Sequence, residues 1–309
     1  MSSPRTQNLA GVFPVLATPF HPDGSPDVAG LAAIARYVIG SGADGVVFPG
    51  VASEFESLAP DERNALSDVV AQEARGRTAF VLGGSASEPA VSEAIARRAQ
   101  AQGAAAVMVM APKSITDRDA VIAFFARVAE SAGPVPIMLQ NAPPPAGSGL
   151  PVDVVAAVAR AVPQVAYVKE EAMPSGARIS QMLASAPPTL RGVFGGAGGR
   201  YITDEIARGA VGTMPACELS EVHVALMKAH ARGDRAQVRR LFNRMLPLLN
   251  FQAVFRMAMT KETLRRRGII AHAGKRAAGP ELDAGDQREL TELLAEVSDL
   301  LQPPVVARG

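Results

Sequence analysis

The stretch Gln164-Val165-Ala166-Tyr167-Val168-Lys169-Glu170-Glu171 places an amine directly after four apolar or aromatic residues. A short continuous apolar run is the pattern of a strand buried on both faces. A lysine closing such a strand either snorkels to solvent or sits in a cavity. In a cavity, burial disfavours the charged form of an amine and turns it into a nucleophile toward carbonyl carbon. The chain has five lysines, at 113, 169, 228, 261 and 275, against 26 arginines. Lys228, Lys261 and Lys275 fall in polar or helical surroundings that read as solvated, and Lys113 follows Pro112 past another apolar run. Only Lys169 closes a strand.

The elements that must position this lysine alternate along the chain. Apolar runs predict strands at 11–17, 45–48, 78–83, 105–110, 136–140, up to 169, 191–194 and 211–214. Helical spacing, with Asp27, Ser87 and Pro60 as start signals, predicts helices over 27–39, 60–73, 88–102, 117–131, 151–161, 201–208 and 220–231. Eight strands alternating with helices imply an α/β fold, a closed parallel (β/α)8 TIM barrel. An open doubly wound sheet is the alternative. It ordinarily has fewer strands and a glycine-rich turn after the first, which this chain lacks. Beyond 232 only helices follow, over 234–249, 251–267 and 284–301. Residues 1–232 therefore read as the barrel and 233–309 as a C-terminal helical extension. Arg265-Arg266-Arg267 reads as a helix end complementing its dipole.

Composition narrows the class. A net charge of +1 gives no argument for nucleic acid or an anionic membrane surface. One cysteine, Cys217, excludes an internal disulfide and fits a reducing cytosol, so a cytoplasmic location is expected. The N-terminus has no apolar stretch resembling a leader, and no run approaches a membrane span.

In a parallel barrel the chemistry sits at the C-terminal ends of the strands. Here those ends supply Thr18, the loop 50–54, Ala111-Pro112-Lys113, Gln140-Asn141, Lys169, Gly195-Gly196 and Met214-Pro215. The four histidines, at 21, 223, 230 and 272, fall elsewhere, so neither a metal nor another cofactor is expected. Gly195-Gly-Ala-Gly-Gly199 does not match a dinucleotide fingerprint; its amides could bind an anion or simply make a tight turn. An amine in an apolar barrel mouth with amide and hydroxyl donors is the equipment of Schiff-base chemistry, with the second-strand loop holding a carboxylate beside a ketone. Cys217 and Met108 and Met110 read as packing residues, and His223 and His230 as surface or inter-helix residues.

Four segments together resemble the dihydrodipicolinate synthase / N-acetylneuraminate lyase family of class I aldolases. They are Gly11-Val-Phe-Pro-Val-Leu-Ala-Thr-Pro-Phe20, Gly50-Val-Ala-Ser-Glu54 with Leu58-Ala-Pro-Asp-Glu-Arg63, Asn141-Ala-Pro143 and Tyr167-Val-Lys-Glu170. The resemblance implies that Lys169 forms a Schiff base with a small 2-oxo acid, that the 50–54 loop binds its carboxylate, and that the protein is a homo-oligomer, a tetramer or dimer. The family's second-strand motif carries two hydroxyl residues, Thr-Thr or Ser-Thr, and a glycine. Here Val51, Ala52 and Ser53 replace them, leaving the Ala52 and Ser53 amides and the Ser53 hydroxyl to hold the carboxylate. Gln140 stands where the family has a proton-relaying tyrosine, and glutamine is no acid or base at neutral pH. Pro144, Pro145 and Ala146 replace an arginine of the synthases, and Lys113-Ser114 a tyrosine pair.

These departures argue against a lysine-biosynthetic synthase. With Leu246-Pro-Leu-Leu-Asn250 and Thr260-Lys-Glu262, the pattern is similar to the 2-keto-3-deoxy sugar-acid dehydratase branch. Dehydration needs no deprotonated hydroxyl: the iminium acidifies C3, a base removes that proton, and the C4 hydroxyl leaves. Glu171, or a water held by Ser53 or Gln140, would shuttle protons, so Lys169, Gln140 and Glu171 are the catalytic candidates. Ala52, Ser53, Asn141, Gly195 and Gly196 are the candidate substrate contacts. Glu54 reads as an anchor of its loop. Alternatives are a pyruvate-releasing aldolase, a dihydrodipicolinate synthase-like or hydroxyproline-pathway lyase, and a non-catalytic 2-oxo-acid-binding regulator.

Overall fold

The computed structural model describes residues 8–302; the stretch read for a leader and the last residues of the helical extension lie outside the described residues. Eight parallel strands form one sheet: β1 (Gly11–Val12), β2 (Gly45–Phe48), β3 (Ala79–Gly83), β4 (Ala106–Val109), β5 (Ile137–Asn141), β6 (Val165–Glu170), β7 (Gly192–Gly195) and β8 (Gly212–Thr213). Each pairs with the next from β2 to β8, and β8 pairs with β1. Val15 closes the ring, bridging Val47 on one side and Ala216 on the other. This is the TIM barrel that the alternation predicts.

The first strand is interrupted because Pro14 has no N–H to donate. Its carbonyl still accepts from the Val47 amide at 3.0 Å, and the Leu16 amide donates to Val47 O at 3.0 Å, so hydrogen bonding continues where the regular ladder stops. Helices α1 (Val28–Gly40), α2 (Pro60–Ala74), α3 (Pro89–Ala96), α4 (Arg118–Ala132), α5 (Val152–Ala161), α6 (Ser175–Ser185), α7 (Ile202–Ala207) and α8 (Ser220–Ala231) follow the strands in turn. Asp27 caps α1 through the Gly30 amide as expected. Helix α3 is much shorter than its periodicity suggests, giving way to turns after Ala96, and α6 has no counterpart in the sequence reading.

Strand alternation aims the side chains. Tyr167 joins Phe13, Val47, Val81, Met108, Met138, Phe194 and Met214 inside the barrel, while Val168 packs outward among the helices. Lys169, two residues beyond Tyr167, therefore points into the barrel at its C-terminal mouth. Met110, unlike Met108, lies past the end of its strand and borders an outer groove.

The C-terminal helices are α9 (Arg235–Phe255), α10 (Met257–Arg266) and α11 (Ala284–Ala295). The first break falls at Arg256, not at Asn250, because α9 continues through Pro247 and Asn250. Met245, Leu248, Leu249 and Met259 pack with Leu226 of α8 and Leu290 of α11, joining the extension to the barrel. The arginine run at the end of α10 is ion-paired: Arg265 and Arg266 to Glu262, Arg267 to Glu221.

Candidate active site

Lys169 is 4% exposed, and its Nζ lies 3.2 Å from Glu171 Oε1. The amine is not isolated in an apolar cavity; it faces a carboxylate. The Ala197 amide donates to the same Glu171 oxygen at 3.0 Å, and Gln140 Nε2 donates to Glu171 Oε2 at 2.7 Å. β5 and β6 create this meeting, because their register sets Gln140 beside Lys169. Burial opposes ionisation of Glu171, but the Lys169 ammonium, the Ala197 N–H and Gln140 outweigh it and hold the carboxyl below the ordinary glutamate range. The structure thus brings together all three catalytic candidates. Gln140 serves as a donor that orients Glu171.

The glycine turn acts differently from an open anion site. A Cβ on Gly196 would collide with the Glu171 carboxylate, and one on Gly195 with that of Glu205. Both glycines are clearance for glutamate carboxylates, and the amide of the turn that meets an anion, Ala197, meets the protein's own Glu171. Behind Gly195, Glu205 accepts from Ser175 Oγ at 2.7 Å. Burial pushes Glu205 up to about 7, against the Ser175 hydrogen bond and with help from the charges of Glu171, Asp204 and Glu170.

Asn141 and Ser53 are corrected from substrate contacts to supports. Asn141 Nδ2 donates to Leu150 O and Glu170 Oε2, each at 3.0 Å, while its Oδ1 accepts from the Leu150 amide at 2.8 Å. It clasps the loop after β5 to Glu170, whose other oxygen lies 3.2 Å from Arg178. Ser53 is fully buried. Its amide donates to Gly50 O at 2.9 Å, and its Oγ accepts from the Gly50 amide and donates to Leu16 O. No hydroxyl of Ser53 is left to hold a water in the cavity.

Residues Val51–Ser53 form one 3-10 turn. Its hydrogen bonds run from the Ser53 and Glu54 amides, which among the described residues leaves the Val51 and Ala52 N–H groups as the open donors of a helix start. The free pair is thus Val51 and Ala52, shifted by one residue from the sequence expectation.

Glu54 anchors that turn, as its position suggests. It adopts a left-handed backbone, φ 57°, and its buried carboxylate pairs with Lys261 and accepts from the Arg276 and Ala277 amides at 2.8 and 2.6 Å. Lys261 is a correction: it is completely buried, not solvated. It donates to Gly274 O at 2.8 Å and stands 4.3 Å over the Phe20 ring. The signal was present, since Met257, Lys261 and Leu264 share one helix face. His223, read as a surface or inter-helix residue, is buried, whereas Lys228 and His230 are exposed.

Lys169, Glu171, Val51 and Ala52 border a cavity of about 240 Å³, together with Met214, Gln252, Arg200 and Arg256. A larger groove of about 990 Å³ runs outside the barrel past α2 and α3 and takes in Arg63 and Lys113, but none of the Lys169 cluster. The chemistry lies in the smaller cavity.

Fold and site together define a parallel barrel with a buried lysine–glutamate pair at its C-terminal mouth and two free amides beside it. Residues 8–297 match the model of the dihydrodipicolinate synthetase family, and the chain belongs to that family of lyases. Over 306 residues it is 28% identical to an L-2-keto-3-deoxyarabonate dehydratase of Azospirillum brasilense, covering 97% of this chain and 98% of that one. It is 29% identical over 300 residues to a 4-hydroxy-tetrahydrodipicolinate synthase of an Exiguobacterium species, covering 95% and 100%. A dihydrodipicolinate synthase crystal structure from Rhodopseudomonas palustris superposes with a TM-score of 0.87 at 25% identity, over 94% of this chain and 98% of the other.

Proposed function

We propose that the protein is a Schiff-base hydro-lyase that dehydrates a 2-keto-3-deoxy sugar acid. The observation that carries this reading is the Lys169–Glu171–Gln140 cluster, in which a carboxylate, not a tyrosine, stands within proton-transfer distance of the buried amine. Lys261, the other fully buried lysine, is engaged by Glu54 and Gly274 O and has no access to the cavity. The likeness to a 2-keto-3-deoxyarabonate dehydratase over nearly the whole of both chains supports the same substrate class.

In this reading the Val51 and Ala52 amides hold the C1 carboxylate. Lys169 gives up a proton to Glu171, and Nζ adds to the C2 carbonyl; loss of water leaves the iminium. Its positive charge stays paired with the carboxylate once Glu171 has passed the proton to the departing water. Glu171 then takes a C3 proton, and the C–H electrons form the C2–C3 double bond as nitrogen accepts a pair. Those electrons return to form C3=C4 while the C4–O bond breaks, the hydroxyl leaving as water with the proton from Glu171. Water hydrolyses the iminium and frees Lys169. One water is lost overall, and from a pentonate the product tautomerises to a 2-oxo acid semialdehyde.

Assembly into a dimer or tetramer belongs to the same reading, since the outer groove leaves Val91 exposed and Phe55 half-buried for a second copy to cover. Light scattering on the purified protein tests this; a monomer at micromolar concentration would remove it. The central test is borohydride reduction in the presence of pyruvate, followed by peptide mass spectrometry. An adduct on Lys169 that is absent from Lys169→Met is expected. With a 2-keto-3-deoxypentonate, a semialdehyde supports dehydration, pyruvate plus an aldehyde would replace it with aldol cleavage, and no adduct and no turnover would leave a binding protein.

A further inference from the structure

The lining of the Lys169 cavity is not charge-balanced. Lys169 and Glu171 neutralise one another at 3.2 Å, but Arg200 and Arg256 also border the cavity, and among the described residues neither guanidinium has a carboxylate or hydrogen-bond partner. Arg200 lies in the turn after β7, its Nη1 close over Gly198, where Gln252 Oε1 also comes in from α9. Arg256 sits at the junction of α9 and α10 with φ 47°, its amide donating to Gln252 O at 2.7 Å. Three non-glycine residues with positive φ occur among the described residues: Glu54, Ala197 and Arg256. Glu54 closes the carboxylate turn, Ala197 donates to Glu171, and Arg256 borders the same cavity. A left-handed backbone at a side-chain-bearing residue costs energy and persists where the surroundings enforce it, and such residues cluster at ligand clamps.

We propose that the substrate carries a second anionic group, at the end remote from the ketone, and that Arg200 and Arg256 receive it. This deepens the reading of the site as a 2-oxo-acid site and rests on it. The electrostatic argument is direct. The lining has three cations and one carboxylate, a formal excess of two positive charges. A 2-oxo acid held through neutral backbone amides brings one negative charge for its C1 carboxylate. A substrate ending in a neutral hydroxyl therefore leaves one positive charge uncompensated, and a substrate with a terminal carboxylate or phosphate leaves none. Arginine suits either end group, because its planar fork matches both bidentately. Gln252 Oε1 and the Tyr201 hydroxyl, also at the rim, are suited to hydroxyls along the chain between the two ends.

The test uses the full chain and reads protection of Lys169 from borohydride trapping with pyruvate. Three competitors are compared: 2-oxoadipate, 2-oxohexanoate as its neutral-ended match in length, and 2-keto-3-deoxy-6-phosphogluconate. The expected result is half-protection by at least one anionic competitor at a concentration about ten-fold or more below that of 2-oxohexanoate, the scale of one charge-assisted hydrogen bond. This ratio shrinks with added salt, because the rim is open to solvent. The carboxylate and phosphate arms tell which end group is preferred. Arg200→Gln and Arg256→Gln each bring the ratio toward one, and Arg256→Lys restores part of it. Reading a ratio removes the effect of lost folded protein, which weakens all competitors alike. Equal protection by neutral and anionic competitors in the unmodified protein overturns the proposal while the Schiff base stands. Failure of pyruvate to trap on Lys169 overturns the 2-oxo-acid reading itself, and this inference with it.

Discussion

Glu171 accepts from an ammonium, a backbone amide and a carboxamide, three donors of different strength. Lys169 is the partner whose charge changes along the proposed reaction, so Glu171 is the group whose removal should affect proton transfer most. Glu171→Gln is expected to lower kcat by about 10²- to 10⁴-fold, the usual range for a general acid–base. The pyruvate adduct on Lys169 should still form, more slowly. Gln140→Met should cost far less, since Lys169 and Ala197 remain to hold the carboxylate. Turnover of Glu171→Gln within a few-fold of the unmodified enzyme would remove Glu171 from the mechanism. Because the Glu171 carboxyl is held below the ordinary 4.5, the acid limb of the rate profile should fall below that pH. Lys169 was legible from sequence, because a lysine ending an apolar strand violates a local pattern. The partnership of Gln140 with Glu171 was not, as it depends on the register between β5 and β6 and on a turn at Gly196. Ser53 misled for a related reason: sequence reveals its hydroxyl and not the direction in which the 3-10 turn sends it.

The Val51–Ser53 turn is held from outside the barrel. Glu54 fastens it to α10 through Lys261 and to the 274–277 segment through two amides, while Arg276 reaches Glu62 at the start of α2 with hydrogen bonds of 2.7 and 2.8 Å. The C-terminal extension thus sets the geometry of the free amides. Lys261→Met leaves a carboxylate buried without its cation, a change that typically costs about 3–5 kcal/mol. A lower denaturant midpoint should accompany an increase in KM larger than the fall in kcat, because the turn loosens while Lys169 stays in place. The double variant Glu54→Gln/Lys261→Met should lose less than the sum of the two single changes, as no lone charge remains. Additive losses would show that the pair is not coupled. Boundaries were least legible where tertiary contacts override local signals. Helix α3 ends early despite its periodicity, and α9 runs past Asn250 to Phe255 because its apolar face continues to pack on α8 and α11.

At the scale of the whole molecule, two buried carboxyls pushed up to about 7 make stability fall as pH rises toward neutrality. Burial pushes Glu218 up to about 7, against its own backbone hydrogen bond, the Thr260 hydroxyl and the positive charge of Arg267. Glu205 rises to about 7 for the reasons given above. Both are protonated in the folded chain at pH values where the unfolded chain has released them. Between the unfolded value of 4.5 and about 7, the folded state therefore binds more protons, and stability falls as pH rises through that window. Above about 7 the loss is complete and the curve flattens. Each group accounts for a decline on the order of 3 kcal/mol, from about 1.4 kcal/mol per pH unit. Other groups act in the opposite sense: Glu62, Glu171 and Glu262, held low by their partners, lose stability as pH falls below 4.5, and His223, kept neutral by burial, loses it as pH falls below 6.5. The overall curve mixes these terms, so the informative quantity is the difference between Glu218→Gln and the unmodified protein. Glutamine keeps the shape of the neutral acid without its ionisation. At pH 5 the two proteins should unfold at nearly the same urea concentration. By pH 8 Glu218→Gln should be the more stable, with the gap opening between pH 5 and 7. A gap that does not change with pH would mean that Glu218 ionises in the fold as it does in the unfolded chain, and that the junction between barrel and extension tolerates its charge.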